Sequence, residues 1–172
     1  MNAQDLKNSI LQLAVQGKLV EQRAEEGTAR ELLEQIKLEK DQLIKDKKIK
    51  KSKPLPEITE DEIPFEIPES WEWVRLDDVL DIARGASPRP IKDYVTTSEN
   101  GINWIKIGDT EKGGKYINST TERITLEGMK KSRFVKKGSF LLSNSMSFGR
   151  PYILNIDGCI HDGWLVLNQR VH

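Results

Sequence analysis

The stretch GSFLLS at residues 138–143 is a short apolar run bounded by a glycine and a serine, which is typical of a buried β-strand. Similar apolar runs occupy residues 102–107, 152–156 and 164–167, with glycine and Asx residues between them. Further upstream, Trp71 and Trp73 alternate as side chains do on a strand with one buried face. The pattern predicts a sheet-rich domain over residues 71–172, with the tryptophans packed in its core.

The first 53 residues show helical periodicity. A first apolar stripe consists of Leu6, Ile10, Leu13 and Ala14 and ends near Gly17. Thr28 and Glu31 have the spacing of a capping box and predict the start of a second helix that continues to Pro54. Its stripe contains Leu32, Leu33, Ile36, Leu43 and Ile44. Since these stripes are too short for an autonomous coiled coil, we expect a partner outside the chain to cover them.

These patterns divide the chain into three parts. Residues 1–53 form a helical hairpin or coiled-coil segment, residues 54–70 a proline- and acid-rich linker, and residues 71–172 a mixed α/β domain. A chain of 172 residues suffices for one core of ordinary size with an appendage. The predicted fold class is therefore α+β, with the helical segment preceding a mixed, sheet-rich domain.

The zero net charge of the chain conceals a strong segregation. Residues 54–81 contain ten acidic side chains and one arginine, whereas residues 82–172 contain fourteen basic and eight acidic ones, a net of +6. Residues 1–53 have a net charge of +3, with lysines concentrated between positions 45 and 53. The basic part of the domain suits phosphate binding, while the lysine cluster is either a solvated helix end or a second phosphate-binding patch.

No catalytic constellation is recognisable in the sequence. The glycine-rich run at residues 108–115 lacks P-loop spacing, and the acid-x-lysine spacing of nucleases occurs only within the helical part. Methyl-donor loops and Asn-Pro-Pro-aromatic motifs are absent, and two histidines are too few for most zinc sites. Cys159, His161 and Asp162 lack a further orienting group, so we interpret Cys159 as a packed side chain.

The single cysteine also bears on location. Cys159 cannot form an internal disulfide, which favours a reducing compartment. No stretch approaches the roughly 18 uninterrupted apolar residues of a membrane-spanning helix, and the N-terminus lacks the pattern of a signal peptide. We expect a soluble, cytoplasmic protein that makes no membrane contact.

Three runs, in this order, resemble the specificity subunits of type I restriction-modification systems. They are LKNSILQLAVQGKL at residues 6–19, the helix and basic tail at residues 32–56, and IPFEIPESWEWVRL at residues 63–76. Residues 84–89, 104–109 and 138–150 are similar to later strands and loops of the family's target recognition domain. The resemblance covers essentially the whole chain.

This resemblance implies a non-catalytic subunit that recognises a sequence in double-stranded DNA and directs adenine methylation or cleavage by other subunits. The implied partners are methyltransferase (modification) subunits, a restriction/translocase subunit, and a second recognition domain or half-subunit. Methyl donor, ATP and magnesium would belong to those partners, so that this chain needs no cofactor and no metal. Complete members carry two recognition domains, whereas this chain carries one that ends before completion, so we expect a fragment or half-subunit.

Two loops and several lysines are the predicted DNA contacts. In the loops, arginine can form two hydrogen bonds to guanine, asparagine can do the same with adenine, and serine can bind several base edges. The predicted loop contacts are Ser87, Arg89, Lys92 and Tyr94, then Asn144, Ser145, Ser147 and Arg150. The predicted phosphate contacts are Lys106, Lys112 and Lys115. The predicted subunit-docking residues are Leu6, Ile10, Leu13, Leu32, Leu33, Ile36 and Leu43.

Two other functions remain open on the sequence. The less favoured first alternative is the recognition segment of a fused restriction-methylation enzyme, in which methyl-transfer motifs lie upstream. The chain would also suit a protein-interaction module whose basic face is incidental and whose DNA affinity is weak and indifferent to sequence.

Overall fold

The computed structural model describes residues 2–49, 51, 53–111 and 113–169. The chain forms two compact units that divide between Val79 and Leu80. We call the part up to Val79 the helical unit and Leu80–Gln169 the sheet unit. The boundary between the two units differs from the predicted divisions at residues 53 and 70. The roles of spacer, linker and recognition domain remain predictions.

Helix α1 (Ala3–Val15) begins with a reciprocal cap. The Asn2 side chain accepts a hydrogen bond from the Asp5 amide, and the Asp5 carboxylate accepts one from the Asn2 amide. The helix ends at Gly17, whose positive φ of 68° allows the Lys18 amide to donate to the Leu13 carbonyl at 2.8 Å. No residue of α1 is buried, so its apolar stripe stays in contact with solvent.

Helix α2 (Ala29–Lys45) confirms the predicted capping box. The Glu31 carboxylate accepts from the Thr28 amide at 2.8 Å, and the Thr28 hydroxyl accepts from the Glu31 amide at 3.3 Å. The predicted continuation to Pro54 is wrong, because Lys47 turns the chain with a φ of 57°. Only Ile36 of this helix is buried, so the structure does not bury an α1–α2 hairpin seam.

The segment before the sheet unit packs against the helices. Arg75 holds Glu62 through two hydrogen bonds of 2.6 and 2.7 Å, and this ion pair lowers the pKa of Glu62 to about 2. The Trp71 indole donates to Gln22 at 2.9 Å, and Trp73 packs edge-on against Phe65. The predicted strand at these tryptophans is therefore wrong, since their side chains are engaged here and no strand ladder forms. One helical turn, α3 (Leu76–Val79), closes the unit.

The sheet unit contains two five-stranded sheets, ordered β1-β10-β7-β8-β4 and β2-β5-β3-β9-β6. The strands and one short helix are β1 (Leu80–Arg84), β2 (Val95–Thr96), β3 (Ile102–Ile105), β4 (Tyr116–Ile117), β5 (Glu122–Ile124), α4 (Leu126–Lys130), β6 (Arg133–Val135), β7 (Phe140–Ser143), β8 (Pro151–Leu154), β9 (Gly158–Ile160) and β10 (Trp164–Gln169).

Both sheets are mixed. The β3–β9 and β4–β8 pairs are parallel, with Trp104 opposite Cys159 in the first of them, and the remaining pairs are antiparallel. The predicted α+β class, with a helical N-terminal segment and a mixed sheet-rich domain, is confirmed. Leu80 and Ile82 lie in β1, where they pair with β10.

Most of the core of the sheet unit lies on the strands predicted from the apolar runs. Trp164, Leu141 and Ile105 are fully buried in the larger cluster, where Tyr152 meets Trp164 edge-on with ring centroids 5.6 Å apart. Trp104 and Cys159 belong to a second, smaller cluster. The core positions predicted for Trp104 and Trp164 are therefore confirmed.

Leu141 on β7 offers a test of this core. Replacing Leu141 by Ala leaves a cavity at a fully buried position, so we expect the free energy of unfolding to fall by about 2–5 kcal/mol. Urea unfolding followed by circular dichroism measures the change. Leu126→Ala, at an exposed position on α4, is the control and should leave the unfolding midpoint nearly unchanged. A loss below about 1 kcal/mol for Leu141→Ala would contradict the packing.

Candidate nucleic-acid interface

Strand β10, which lies between β1 and β7, brings the two predicted DNA-contacting loops together. Its first residues pair on one side with the end of β1, where Arg84 lies opposite Leu165, and on the other with the end of β7, where Ser143 lies opposite Trp164. The chain therefore leaves β1 and β7 at the same end of these strands, next to the start of β10. The turn at residues 161–163, which leads into β10, lies at the same end of the strands.

Asp162 in this turn links the turn to the loop after β1. Its carboxylate accepts a hydrogen bond of 2.8 Å from the Ser87 hydroxyl and one of 3.3 Å from Arg89, and His161 Nε2 lies 3.0 Å away. Its backbone carbonyl accepts from Arg84 Nε at 2.7 Å. Partial burial alone would raise the pKa of Asp162, but the Ser87 hydrogen bond and the interactions with His161 and Arg89 outweigh it and lower the pKa.

The other side of the turn holds the loop after β7. The Asn144 amide donates to the Gly163 carbonyl at 2.7 Å. A methyl group on Gly163 would lie 2.6 Å from the Ser145 hydroxyl oxygen, so the two segments are in close contact. Since Asp162 and Gly163 are neighbours, the two predicted loops are joined through two consecutive residues.

Buried Ser143 fixes the base of the second loop. Its hydroxyl accepts from the Arg150 amide at 2.9 Å and donates to the Ser147 carbonyl, while the Gly149 amide donates to the Ser143 carbonyl at 2.9 Å. Gly149 has a φ of 78°, a left-handed conformation that favours glycine. The loop at residues 144–150 is therefore closed by its own hydrogen bonds.

Two open clefts group the predicted contact residues. One, of about 170 Å³, is lined by Ser87, Arg89, Ile91, Trp104, Lys106, Glu122 and His161. The other, of about 460 Å³, is lined by Gly113, Gly114, Lys115, Arg150, Pro151 and Tyr152. The structure thus places Lys106 with the first loop and Lys115 with the second.

Several predicted contacts are engaged within the protein. Lys106 Nζ lies 2.7 Å from the Glu122 carboxylate, which offsets its charge. The Tyr94 hydroxyl accepts from Lys131, whose ammonium lies 4.8 Å from the Tyr94 ring centroid, so Tyr94 packs beside α4. Lys92 is exposed on a 3₁₀ turn. Lys112 lies outside the described residues.

Sequence reasoning missed the organising role of Asp162. Its partners Ser87 and Arg89 lie 75 and 73 positions away, and no local pattern connects residues at such a distance. It also passed over Met146 and Phe148, although apolar residues within the polar run SNSMSFGR were a readable signal. Among the described residues, they are the two most exposed large apolar side chains.

The thiol of Cys159 is unsuited to nucleophilic chemistry. Its side chain is fully buried, and desolvation raises the pKa of the thiol to about 11. Within the described ranges, no group of three or more His, Cys, Asp and Glu side chains could hold a metal ion. No helix in that part of the chain is long and apolar enough to span a membrane.

Titration of Asp162 tests this network. We expect Ser87→Ala to raise the pKa of Asp162 from its lowered value, because one hydrogen bond to the carboxylate is lost. Carboxyl ¹³C NMR measures the pKa, and Ser98→Ala, at an exposed loop position, is the control. An unchanged pKa would show that Ser87 does not bind the carboxylate.

The lowered pKa also sets the direction of a pH effect on stability. Ionised Asp162 stabilises the folded state at pH values above its unfolded-state pKa of about 4. That contribution is lost as the pH falls through the lower folded-state pKa. Asp162→Asn should therefore unfold with a weaker pH dependence in this acid range than the unmodified protein, as measured by thermal unfolding between about pH 2 and 5.

Comparison with known proteins finds relatives that are similar over part of the chain. The specificity subunit of the type I restriction enzyme EcoAI from Escherichia coli is 55% identical over 80 residues, which are 46% of this chain and 14% of that protein. The EcoEI specificity subunit, also from Escherichia coli, is 52% identical over 75 residues, 44% of this chain and 13% of that protein. The matches thus span about one seventh of the length of these relatives.

Two solved structures are similar to parts of this chain. The HsdS subunit from Thermoanaerobacter tengcongensis has a TM-score of 0.49 and 27% identity, over 63% of this chain and 26% of that one. A chain from a structural study of complex assembly and conformational transition of the type I R-M system has a TM-score of 0.50 and 24% identity, over 83% of this chain and 33% of that one. No family model matches the sequence. Over about half of its length, the chain is therefore similar in sequence to type I restriction enzyme specificity subunits.

Proposed function

We propose that this chain recognises part of a double-stranded DNA target for a type I restriction-modification complex, without catalysing a reaction itself. The observation that carries the proposal is the convergence of two polar, basic loops on the turn at residues 161–163. Partner subunits would methylate an adenine or cleave the DNA that the sheet unit selects.

The stretch of sequence that contains the second loop is basic, which supports DNA binding. Residues 128–156 contain six lysines and arginines and no acidic residue. Such a segment neutralises phosphates and releases their condensed counterions on binding, which makes affinity dependent on salt. Lys115 lies in the same cleft as Arg150 and would contribute a further phosphate contact.

Base readout falls to the polar side chains of the two loops. Arg89 is held by Asp162 at 3.3 Å, yet its side chain is 75% exposed, so most of its five donors stay available for a guanine edge. Arg150 is exposed at the end of the second loop, beside Asn144, Ser145 and Ser147. Lys106 is a weaker phosphate contact than predicted, because Glu122 already pairs with it.

The exposed helical surface would bind the methyltransferase subunits. On α1, Leu6, Ile10 and Leu13 are 52, 44 and 43% exposed, and Leu32 on α2 is 53% exposed. Ile36 is buried, and Leu33 and Leu43 are half-buried. We therefore assign docking to the α1 stripe and Leu32, and a structural role to Ile36.

The remaining partners follow from the same proposal. A restriction/translocase subunit and a second recognition domain or half-subunit would complete the complex, acting in the cytoplasm. Methyl donor, ATP and magnesium would bind to the partner subunits, while this chain would hold the DNA target in position.

Selection from a random duplex library tests the proposal. The chain, assembled with its methyltransferase subunits, should enrich a short DNA sequence over successive rounds. Binding without enrichment of any sequence would overturn the recognition function and favour a protein-interaction module.

Arg150 and Lys115 should fail in different ways. Arg150→Ala should relax the preference at one base position, and Arg150→Lys should do the same while keeping the charge, because lysine lacks the planar fork. Lys115→Ala should weaken binding evenly across sequences and reduce the slope of log affinity against log salt by about 1. Fluorescence anisotropy across a salt series, with the selected duplex and single-base variants, separates the two effects.

If Arg150→Ala keeps the full preference at every base position, Arg150 does not contact a base edge. If Lys115→Ala leaves the salt slope unchanged, Lys115 does not contact a phosphate.

A further inference from the structure

The loop at residues 144–150 presents two large apolar side chains to solvent. Met146 is 94% exposed and Phe148 79% exposed, more than any other large apolar side chain among the described residues. Apolar surface on this scale is unfavourable in water, and a contiguous exposed apolar site commonly marks a binding surface. A function that uses only the polar side chains of this loop leaves both residues unexplained.

The loop holds these side chains in a defined conformation. Buried Ser143 closes the loop through its hydrogen bonds to Arg150 and Ser147, and the Asn144 amide binds the Gly163 carbonyl. Met146 has a φ of 58°, in the left-handed region that residues other than glycine seldom adopt. Phe148 therefore projects from a closed loop with fixed ends, which limits the conformational freedom it would lose on binding.

The charges around the loop indicate what covers it. Arg150 follows Phe148 by two positions, Lys115 shares the cleft of Arg150, and no acidic residue occurs between positions 128 and 156. An apolar side chain flanked by cations suits duplex DNA, since the cations bind phosphates while the apolar group enters between bases. An apolar protein surface would leave the same cations without counter-charges.

We propose that Phe148 inserts into a base step of the bound duplex, with Met146 packing beside it in the groove. The inserted ring would partly unstack the step and kink the DNA. Pyrimidine–purine steps would be favoured, because they unstack and bend most easily. The loop would then read DNA by deformability as well as by base-edge contacts. This inference rests on the proposed function and assigns a wedge to the same interface.

The test uses the chain assembled with its methyltransferase subunits and a duplex that contains the selected sequence. 2-Aminopurine is placed at each position in turn to report unstacking, and a donor–acceptor pair on the DNA ends reports bending. The unmodified protein should raise the fluorescence at one step and shorten the end-to-end distance.

Phe148→Ala should abolish both signals and lower affinity for the selected site roughly 10-fold, within the range found for loss of one base–aromatic stack. Phe148→Trp should keep both signals, because the larger ring still fills a base step. Met146→Ala should have a smaller effect on affinity. Leu126→Ala, which removes an exposed apolar side chain on α4, is the matched control and should change neither signal.

The outcomes separate the wedge from the proposed function. If Phe148→Ala keeps bending, unstacking and specific affinity while Arg150→Ala loses its base preference, the wedge is wrong and DNA recognition stands. If Phe148→Ala instead weakens assembly with the methyltransferase subunits, as measured by analytical ultracentrifugation, the loop binds protein and the wedge is overturned. If no sequence is selected at all, the recognition function itself fails and the wedge fails with it.

Discussion

The pairing of β10 with β1 on one side and β7 on the other is the constraint on which the sheet unit depends. Trp164, the first residue of β10, is fully buried and packs edge-on against Tyr152, which fixes the strand in the core. Because both pairings are antiparallel, the chain leaves β1 and β7 where β10 begins. The two loops of the candidate interface meet there, although about sixty residues separate them along the chain.

Some cations of the sheet unit are bound by other side chains, and others keep their donors exposed to solvent. Lys106 is paired with Glu122, and Lys131 binds the Tyr94 hydroxyl, so both contribute to the fold around the first loop. Arg89 has a carboxylate partner but keeps an exposed side chain, which positions it without removing its donors from solvent. Total charge is therefore a poorer guide to DNA contacts than the partner of each cation, since a carboxylate nearby cancels much of its attraction for phosphate.

The helical unit leaves several large apolar side chains exposed to solvent. Its core is small, and contacts such as the pair between Arg75 and Glu62 hold the later segment in place. The α1 stripe stays exposed although its spacing is that of a core-facing helix. An apolar stripe of this kind packs either against the rest of its own chain or against another subunit. The periodicity of the sequence is the same in both cases, so it does not distinguish them.

The sequence alone determined the elements governed by nearby residues. The Thr28–Glu31 cap, the end of α1 near Gly17 and the β7 strand depend on neighbours within a few positions, so local patterns were sufficient. Family resemblance supplied the interface residues but not their arrangement. Only the tertiary structure decided that Trp71 and Trp73 leave the strand pattern, that Asp162 joins the two loops, and that Phe148 faces solvent. Each depends on hydrogen bonds or packing between residues far apart in the chain, whose pairing local periodicity does not encode.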